Sequence, residues 1–178
     1  MTGWNRPALW RAVVAAASVG LIGLAGGLAE GADLRPGAFT GGVSGGFLGD
    51  TPDGTAFAVN LNAERILLEN FSVGPLLQLG VTGDSSQVGL SGQVKYWIDI
   101  PNTGKKLKVT PQIGLGFVHN SFRRGDTSWL IPLGVGADYA LTDRLNLTGT
   151  FLLNVSDLDT GRGSGANAMP GLTVGVRF

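Results

Sequence analysis

Apolar and polar residues alternate along most of the chain after residue 38. Between Leu107 and Phe117 every second residue is apolar, and the intervening positions are lysine, threonine, glutamine or glycine. Successive side chains of a strand point to opposite faces, so this period of two predicts a strand with one apolar face. Eight segments carry the pattern and predict strands at about 38–48, 56–66, 71–81, 87–99, 106–118, 128–140, 144–155 and 168–178.

The connections between the predicted strands alternate in character. Segments 67–70, 101–105 and 141–143 are short, whereas 49–55, 82–86, 119–127 and 156–167 carry most of the glycine, aspartate, serine and asparagine found in the connections. Parallel pairing needs a crossover of a dozen or more residues, so connections of this length indicate antiparallel neighbours. Eight up-and-down strands can close into a barrel, and closure removes every exposed sheet edge.

The glycines and the aromatic residues indicate which face of this barrel points outward. The polar face is rich in glycine, which fits the narrow lumen of an eight-stranded barrel. With the N-terminus on the periplasmic side, the aromatic residues fall at two heights, as in transmembrane barrels. The lower belt comprises Phe39, Phe71, Tyr96, Tyr139 and Phe178, and the upper belt comprises Phe47, Phe57, Phe117 and Trp129. We predict an all-β, eight-stranded antiparallel up-and-down transmembrane β-barrel at 38–178, rather than a soluble lipocalin-like barrel.

Residues 1–29 have the features of a cleaved secretory signal peptide. Arg6 and Arg11 give a positively charged N-terminal region, and residues 12–25 form an uncharged apolar run. Gly27 and Ala29 are small residues at the −3 and −1 positions of a cleavage site. The run is shorter than the roughly 20 residues of a transmembrane helix. We therefore expect export, a short N-terminal segment at 30–37, and the barrel after it.

Composition excludes several classes of function. Charged residues make up 15% of the chain, below the roughly 25% of a typical soluble domain. After residue 29 the chain has 11 basic and 13 acidic residues, which argues against a nucleic-acid partner. There is no cysteine and one histidine, so thiol catalysis and cysteine-based zinc sites are excluded, and we expect no metal and no cofactor.

Three stretches resemble a known family. Residues 170–178 alternate and end on Phe178, which resembles the C-terminal targeting signal of Gram-negative outer-membrane β-barrels. Residues 139–147 and 98–103 look like the periplasmic turns of small barrels of that group. The chain is thus similar to the eight-stranded OmpA/OmpX-like, or porin-opacity-like, proteins. This resemblance implies an outer-membrane location, a monomer, and recognition by the barrel-assembly machinery through Leu172, Val174, Val176 and Phe178.

The polar face also carries six charged residues toward its lower end. They are Glu64, Lys95, Asp99, Lys108, Asp138 and Arg177. Three cations and three anions in a narrow lumen must pair, because an unpaired buried charge is costly. We predict a plug of ion pairs, and hence a structural or surface-interaction role. A gate or proton relay is the alternative role for these six charges, and a narrow channel for small solutes is an alternative function.

A second alternative is enzymatic. His119 and Ser121 faintly resemble the His-x-Ser element of outer-membrane lipid A deacylases. Residues two apart share a strand face, so the imidazole is placed to act as base for the serine. However, Phe122 stands where that family has asparagine, and the nearest acid to orient the histidine is Asp126. These departures favour a solvated loop pair over a hydrolase.

Arg123 and Arg124 lie in the same upper connection. Guanidinium groups donate bidentate hydrogen bonds to phosphates. Outer-membrane lipids and lipopolysaccharide are therefore the predicted partners of this connection.

Overall fold

The computed structural model describes residues 34–83, 85–121, 125–158 and 165–178. The predicted signal peptide, and Arg123 and Arg124, lie outside the described residues. Within those ranges no helix is long and apolar enough to cross a membrane. The same ranges contain nine strands: β1 (Phe39–Thr51), β2 (Gly54–Leu68), β3 (Phe71–Val81), β4 (Ser86–Tyr96), β5 (Ile98–Asp99), β6 (Leu107–Asn120), β7 (Asp126–Ala140), β8 (Asn146–Ser156) and β9 (Asn167–Arg177).

The strands form one closed antiparallel barrel. β1 pairs with β2 and with β9, and β4 pairs with β6, so the first and last strands meet and the sheet has no free edge. β5 continues β4 beyond Trp97, since both pair with β6. When β4 and β5 are counted as one, the barrel has eight strands around its circumference. The predicted fold class is confirmed. The single strand predicted at 87–99 is interrupted at Trp97, whose backbone nitrogen donates to Asn70 O instead.

The first hairpin differs from the prediction. Segment 49–55 was expected to be a loop, but β1 and β2 extend into it and leave only residues 52–53 between them. Asp50 and Gly54 have positive φ values of 52° and 93°, and Thr51 Oγ1 donates to Gly54 O over 2.6 Å. Turn-forming residues here make a tight hairpin end rather than a loop, because positive φ lets the chain reverse within a few residues.

Four glycines of the inner face sit where neighbouring strands approach closely. A Cβ on Gly74 would lie 1.9 Å from Ala63 O, and one on Gly175 would lie 2.0 Å from Val43 O. Gly46 and Gly116 meet backbone oxygens at similar distances. The adjacent strand, rather than the lumen contents, excludes a side chain at these positions. At Gly89 the narrow lumen favours glycine, as predicted, since a Cβ there would lie 3.1 Å from Leu130 Cδ2.

The two faces of the barrel have opposite polarity. Outward positions of β6 are exposed and apolar, with Leu115 and Phe117 at 68% and 70% exposure, whereas inward Thr110 and Gln112 are buried. The short connections 69–70, 100–106 and 141–145 share one end of the barrel, here called the turn end. The connections 52–53, 82–85, 121–125 and 157–166 share the other, here called the loop end. The apolar face is thus outside, as predicted.

Candidate functional site

A buried carboxylate forms the centre of the lumen at the turn end. Glu64, on β2, is 1% exposed and accepts a 2.6 Å hydrogen bond from Lys95 Nζ of β4. Ser72 Oγ of β3 donates to its second oxygen over 2.7 Å, and Asn62 Nδ2 donates over 2.5 Å. A buried carboxylate with three donors is well compensated for its lost hydration.

Trp97 joins this carboxylate to a second ion pair. Its indole is 2% exposed, and Nε1 donates to Ser72 Oγ over 2.9 Å. The guanidinium carbon of Arg177 lies 4.6 Å from the centre of the indole ring, which is cation–π geometry. The connecting role of Trp97 was not predicted from the sequence. Ser72 was likewise missed, because a serine on the polar face carries no distinguishing signal.

Arg177 and Asp138 make the second buried pair. Arg177 Nε donates to Asp138 Oδ1 over 3.0 Å, and both side chains are about 95% buried. Arg177 also donates to Thr40 Oγ1 over 3.3 Å, and Thr40 Oγ1 donates to Phe178 O over 3.0 Å. The last strand is therefore tied to β7 and β1 by side chains as well as by the backbone ladder.

The remaining predicted charges lie at the mouth of the turn end. Lys108 Nζ is hydrogen-bonded to Asp99 Oδ1, and the Asp99 side chain is 45% exposed. All six predicted charges thus face inward at the turn end. The structure divides them into two buried pairs and one pair that water reaches.

The middle of the lumen is polar and closely filled. A cavity of about 30 Å³ lies there, with room for one or two water molecules. Asn60 Oδ1, Gln93 Nε2 and Gln112 Oε1 are buried around it without a hydrogen-bond partner among the described residues. Such groups suit a bound water, and the space is too small for an open passage.

Apolar side chains fill the lumen at the loop end. The cluster consists of Leu48, Ala56, Ala58, Val118, Leu130, Leu158 and Met169. Leu158 belongs to the connection after β8 and is fully buried, with its backbone nitrogen bonded to Ser156 Oγ and its carbonyl to Asn167 Nδ2. Alternation along β1, β6 and β7 accounts for the inward positions of Leu48, Val118 and Leu130. It gave no reason to place Leu158 there, because a loop has no period.

The candidate catalytic residues His119 and Ser121 have different hydrogen-bond partners on the neighbouring strands. His119 Nδ1 bonds to Thr127 Oγ1 over 2.7 Å, its cross-strand neighbour. Ser121 Oγ instead contacts Ser86 Oγ at 3.0 Å and accepts from the Ser86 nitrogen at 2.9 Å. His119 and Ser121 are both exposed at the loop end, and Asp126 faces Asn120 across the ladder. Within the described ranges, no three histidine or acidic residues converge on a metal site.

The aromatic residues predicted for the two belts lie on the outer wall. Phe71 pairs with Tyr96 at the turn end, where Phe39 and Tyr139 are also exposed. At the loop end Phe117 pairs with Trp129, and the Phe47 and Phe57 rings are 6.3 Å apart edge to face. Of the proposed assembly signal, Leu172 and Val174 are exposed, Val176 and Phe178 are half-buried, and Phe178 exchanges two 2.8 Å backbone bonds with Gly41.

Comparison with known proteins shows the fold. No family model matches the chain, and no curated protein matches it. Among solved structures, Neisserial surface protein A is 16% identical, with 78% of this chain and 94% of that chain covered and a TM-score of 0.55. The N-terminal β-barrel domain of Pseudomonas aeruginosa OprF is 14% identical, with 78% and 97% covered and a TM-score of 0.50. The predicted resemblance to small eight-stranded barrels is confirmed at the level of the fold.

Proposed function

We propose that the protein is an integral outer-membrane β-barrel with a plugged lumen and a structural or surface-interaction role. The observation that carries this proposal is the inverted polarity of the barrel. Phe117 and Leu115 are about 70% exposed, while Glu64 and Arg177 are at most 3% exposed. Water would penalise this arrangement, whereas hydrocarbon favours an apolar exterior with all backbone groups paired in a closed ladder.

The spacing of the aromatic belts supports a membrane setting. Phe39 and Phe47 lie eight residues apart on β1, which corresponds to about 27 Å along a strand. At a tilt of about 40° the belts are then roughly 20 Å apart in height, close to the ~25 Å apolar band of outer-membrane barrels. Aromatic rings at both boundaries would fix the depth of the barrel.

Filling of the lumen supports the plugged state. Two cavities in the middle of the lumen are about 30 Å³ and about 10 Å³; Lys95, Asp138 and Arg177 line the first, and Leu48 and Leu152 line the second. An eight-stranded barrel has an interior just wide enough for its own side chains. We therefore expect no measurable conductance in planar-bilayer recordings, and stable ohmic steps would overturn this part of the proposal.

The loop end is the side on which surface contacts would form. Neisserial surface protein A, which shares the fold, is a surface protein by its name. In this chain Arg123 and Arg124 fall in the β6–β7 connection, and we propose lipopolysaccharide phosphates as their partners. Leu172, Val174, Val176 and Phe178 would serve as the assembly signal.

Fractionation of cells tests the location. The protein should be recovered in the outer-membrane fraction, and unboiled samples should migrate differently from boiled samples on a detergent gel. A folded transmembrane barrel resists detergent and unfolds on heating. Recovery as a soluble periplasmic protein without a mobility shift would contradict the proposal and favour a lipocalin-like carrier.

A pair of lysine substitutions tests the membrane setting at residue level. Ile113 lies near the middle of β6 and Ile98 lies at the turn end, and both face outward. In lipid vesicles Ile113→Lys should lower the free energy of unfolding by about 2–4 kcal/mol, and Ile98→Lys by about 0–1 kcal/mol. Equal costs at the two depths would contradict a bilayer around the barrel.

A further inference from the structure

One cation faces outward on the apolar wall of the barrel at the turn end. Arg65 follows the inward Glu64 on β2, so its side chain points away from the lumen, and it is exposed. In the register of the sheet it lies opposite Phe39 of the lower aromatic belt and opposite Val73 of β3. Arg65 therefore lies at the height of the lower belt, where hydrocarbon would give way to polar headgroups.

The Phe39 ring holds this guanidinium against the wall. The guanidinium carbon lies 5.6 Å from the centre of the ring, which is cation–π geometry. Among the described residues, the carboxylates at this end of the lumen pair with other cations, and none pairs with Arg65. A cation on a lipid-facing wall costs free energy unless it reaches an anion or water. The N–H groups at the edge of the guanidinium can meet that need by donating to an acceptor outside the protein.

A row of small outward residues crosses four strands beside Arg65. Gly41 lies opposite Ala63, the register of β2 and β3 brings Ala63 beside Pro75, and Pro75 lies opposite Gly92. These four residues are here called the furrow. A Cβ on Gly92 would meet no atom within 4 Å, so the wall is low at that point. Gly41 is near the turn-end start of β1 and Gly92 is near the middle of β4, so the furrow runs from the belt toward the middle of the wall.

Larger side chains border the furrow on both sides. In the same register the bordering row toward the turn end is Phe39, Arg65, Val73, Val94 and Ile113, and the row on the other side is Val43, Leu61, Leu77, Leu90 and Phe117. The two rows are four residues apart along each strand, which is about 13 Å. Leu115 lies opposite Gly92 on β6 and closes the far end. The wall thus has a bounded apolar groove with a cation at its turn-end start.

We propose that the furrow binds one acyl chain of a phospholipid whose phosphate is held by Arg65. The inference rests on the membrane location proposed above, which would place lipid against this wall. A guanidinium donates paired hydrogen bonds to a phosphate and carries the complementary charge. Arg65 lies at headgroup height while the furrow continues into the apolar band, and this is the order of the two parts in a phospholipid. A symmetric dimer at this wall would instead bring two Arg65 side chains together, which like-charge repulsion opposes.

Native mass spectrometry with added phosphatidylglycerol tests the cation on the folded protein released from nonionic micelles. We expect the wild type to bind one lipid more tightly than the rest. Arg65→Gln should weaken this adduct by about five-fold, the effect of one arginine near an anionic lipid surface. The control Arg144→Gln removes an exposed cation from the turn between β7 and β8, and it should weaken the adduct by less than about two-fold.

A second pair of variants tests the furrow. Gly92→Leu fills the low point of the wall and should weaken the adduct by at least about three-fold, because the acyl chain loses its van der Waals contact with the wall. Gly149→Leu is the matched control, since Gly149 is on β8 and a Cβ there would also meet no atom within 4 Å. This control should leave the adduct unchanged.

Fractionation and a heat-shift gel first show that each variant is folded and in the outer membrane, so failure of the membrane location is distinguished from failure of the lipid site. The proposal is overturned if folded Arg65→Gln or Gly92→Leu keeps the wild-type adduct, or if Gly149→Leu loses it to the same extent. A dimer peak that Gly92→Leu removes would assign this wall to a second copy of the chain, and would also overturn the proposal.

Discussion

The two halves of the lumen solve the same packing problem with opposite chemistry. At the turn end four buried charges, a serine and an indole form one hydrogen-bonded network around Glu64 and Arg177. At the loop end seven apolar side chains fill the same cross-section. A charged network needs every partner in place, whereas an apolar cluster tolerates imperfect fit. Removal of a single side chain should therefore lower the free energy of unfolding by different amounts in the two halves.

The largest loss is expected when one charge is removed from a buried pair. Glu64→Leu leaves the Lys95 ammonium without its carboxylate and should lower the free energy of unfolding by about 3–5 kcal/mol. Urea unfolding in phospholipid vesicles, followed by tryptophan fluorescence, measures this. The double variant Glu64→Leu/Lys95→Met should recover much of the loss, because no unpaired charge remains. Equal instability of the single and double variants would mean that packing, rather than charge, governs the turn end.

Truncation in the apolar half should cost somewhat less. Leu130 is 1% exposed, and Leu130→Ala should lower the free energy of unfolding by about 2–4 kcal/mol through lost burial and a residual cavity. The volume-conserving variant Leu130→Met should cost less than about 1.5 kcal/mol. A Met variant as unstable as the Ala variant would show that the loop end is as exacting as the charged network, and the contrast between the halves would disappear.

The link between the two ion pairs gives a smaller effect. Trp97→Phe keeps an aromatic ring beside Arg177 but removes the Nε1 donor to Ser72. One hydrogen bond contributes about 0.5–1.5 kcal/mol to stability, and the same unfolding measurement detects it through Trp129. In the Glu64→Leu background the added cost should shrink, since the network is already broken. Strict additivity of the two changes would contradict a connected network.

The smallest effect is expected at the mouth. Asp99→Asn removes the carboxylate facing Lys108, but the pair is open to water and screened by salt. The change should cost about 0.2–1 kcal/mol at low ionic strength, and less at high salt. A loss as large as that of Glu64→Leu would place this pair within the buried network.

Much of the fold was readable from the sequence because its main signal is local. The alternating pattern identified all eight strands of the barrel. Odd and even positions along each strand placed Glu64 and Arg177 inside and Phe117 outside. The turn chemistry of 49–55 was misleading, since Asp50 and Gly54 make a tight hairpin end rather than a loop. The break at Trp97 was also missed, because nothing in an alternating pattern marks an interruption of the ladder.

The candidate site was predicted only as a set of residues. Strand parity gives the face of a side chain, so the six charges were assigned to the lumen as a group. Which carboxylate meets which cation depends on the stagger between strands, and that is a property of barrel closure.

The sequence by itself determined the eight alternating segments of the barrel, their two faces and their antiparallel order, because a period of two and short connections favour one closed up-and-down arrangement. Only the tertiary structure decided the contacts made by non-neighbouring strands. It joined Glu64 to Lys95 across β3, stacked Arg177 on Trp97, and brought Leu158 from a connection into the lumen. These contacts depend on the stagger between the strands and on how the barrel closes. Both are set by the geometry of all the strands together, so no single segment of the sequence carries a pattern that predicts them.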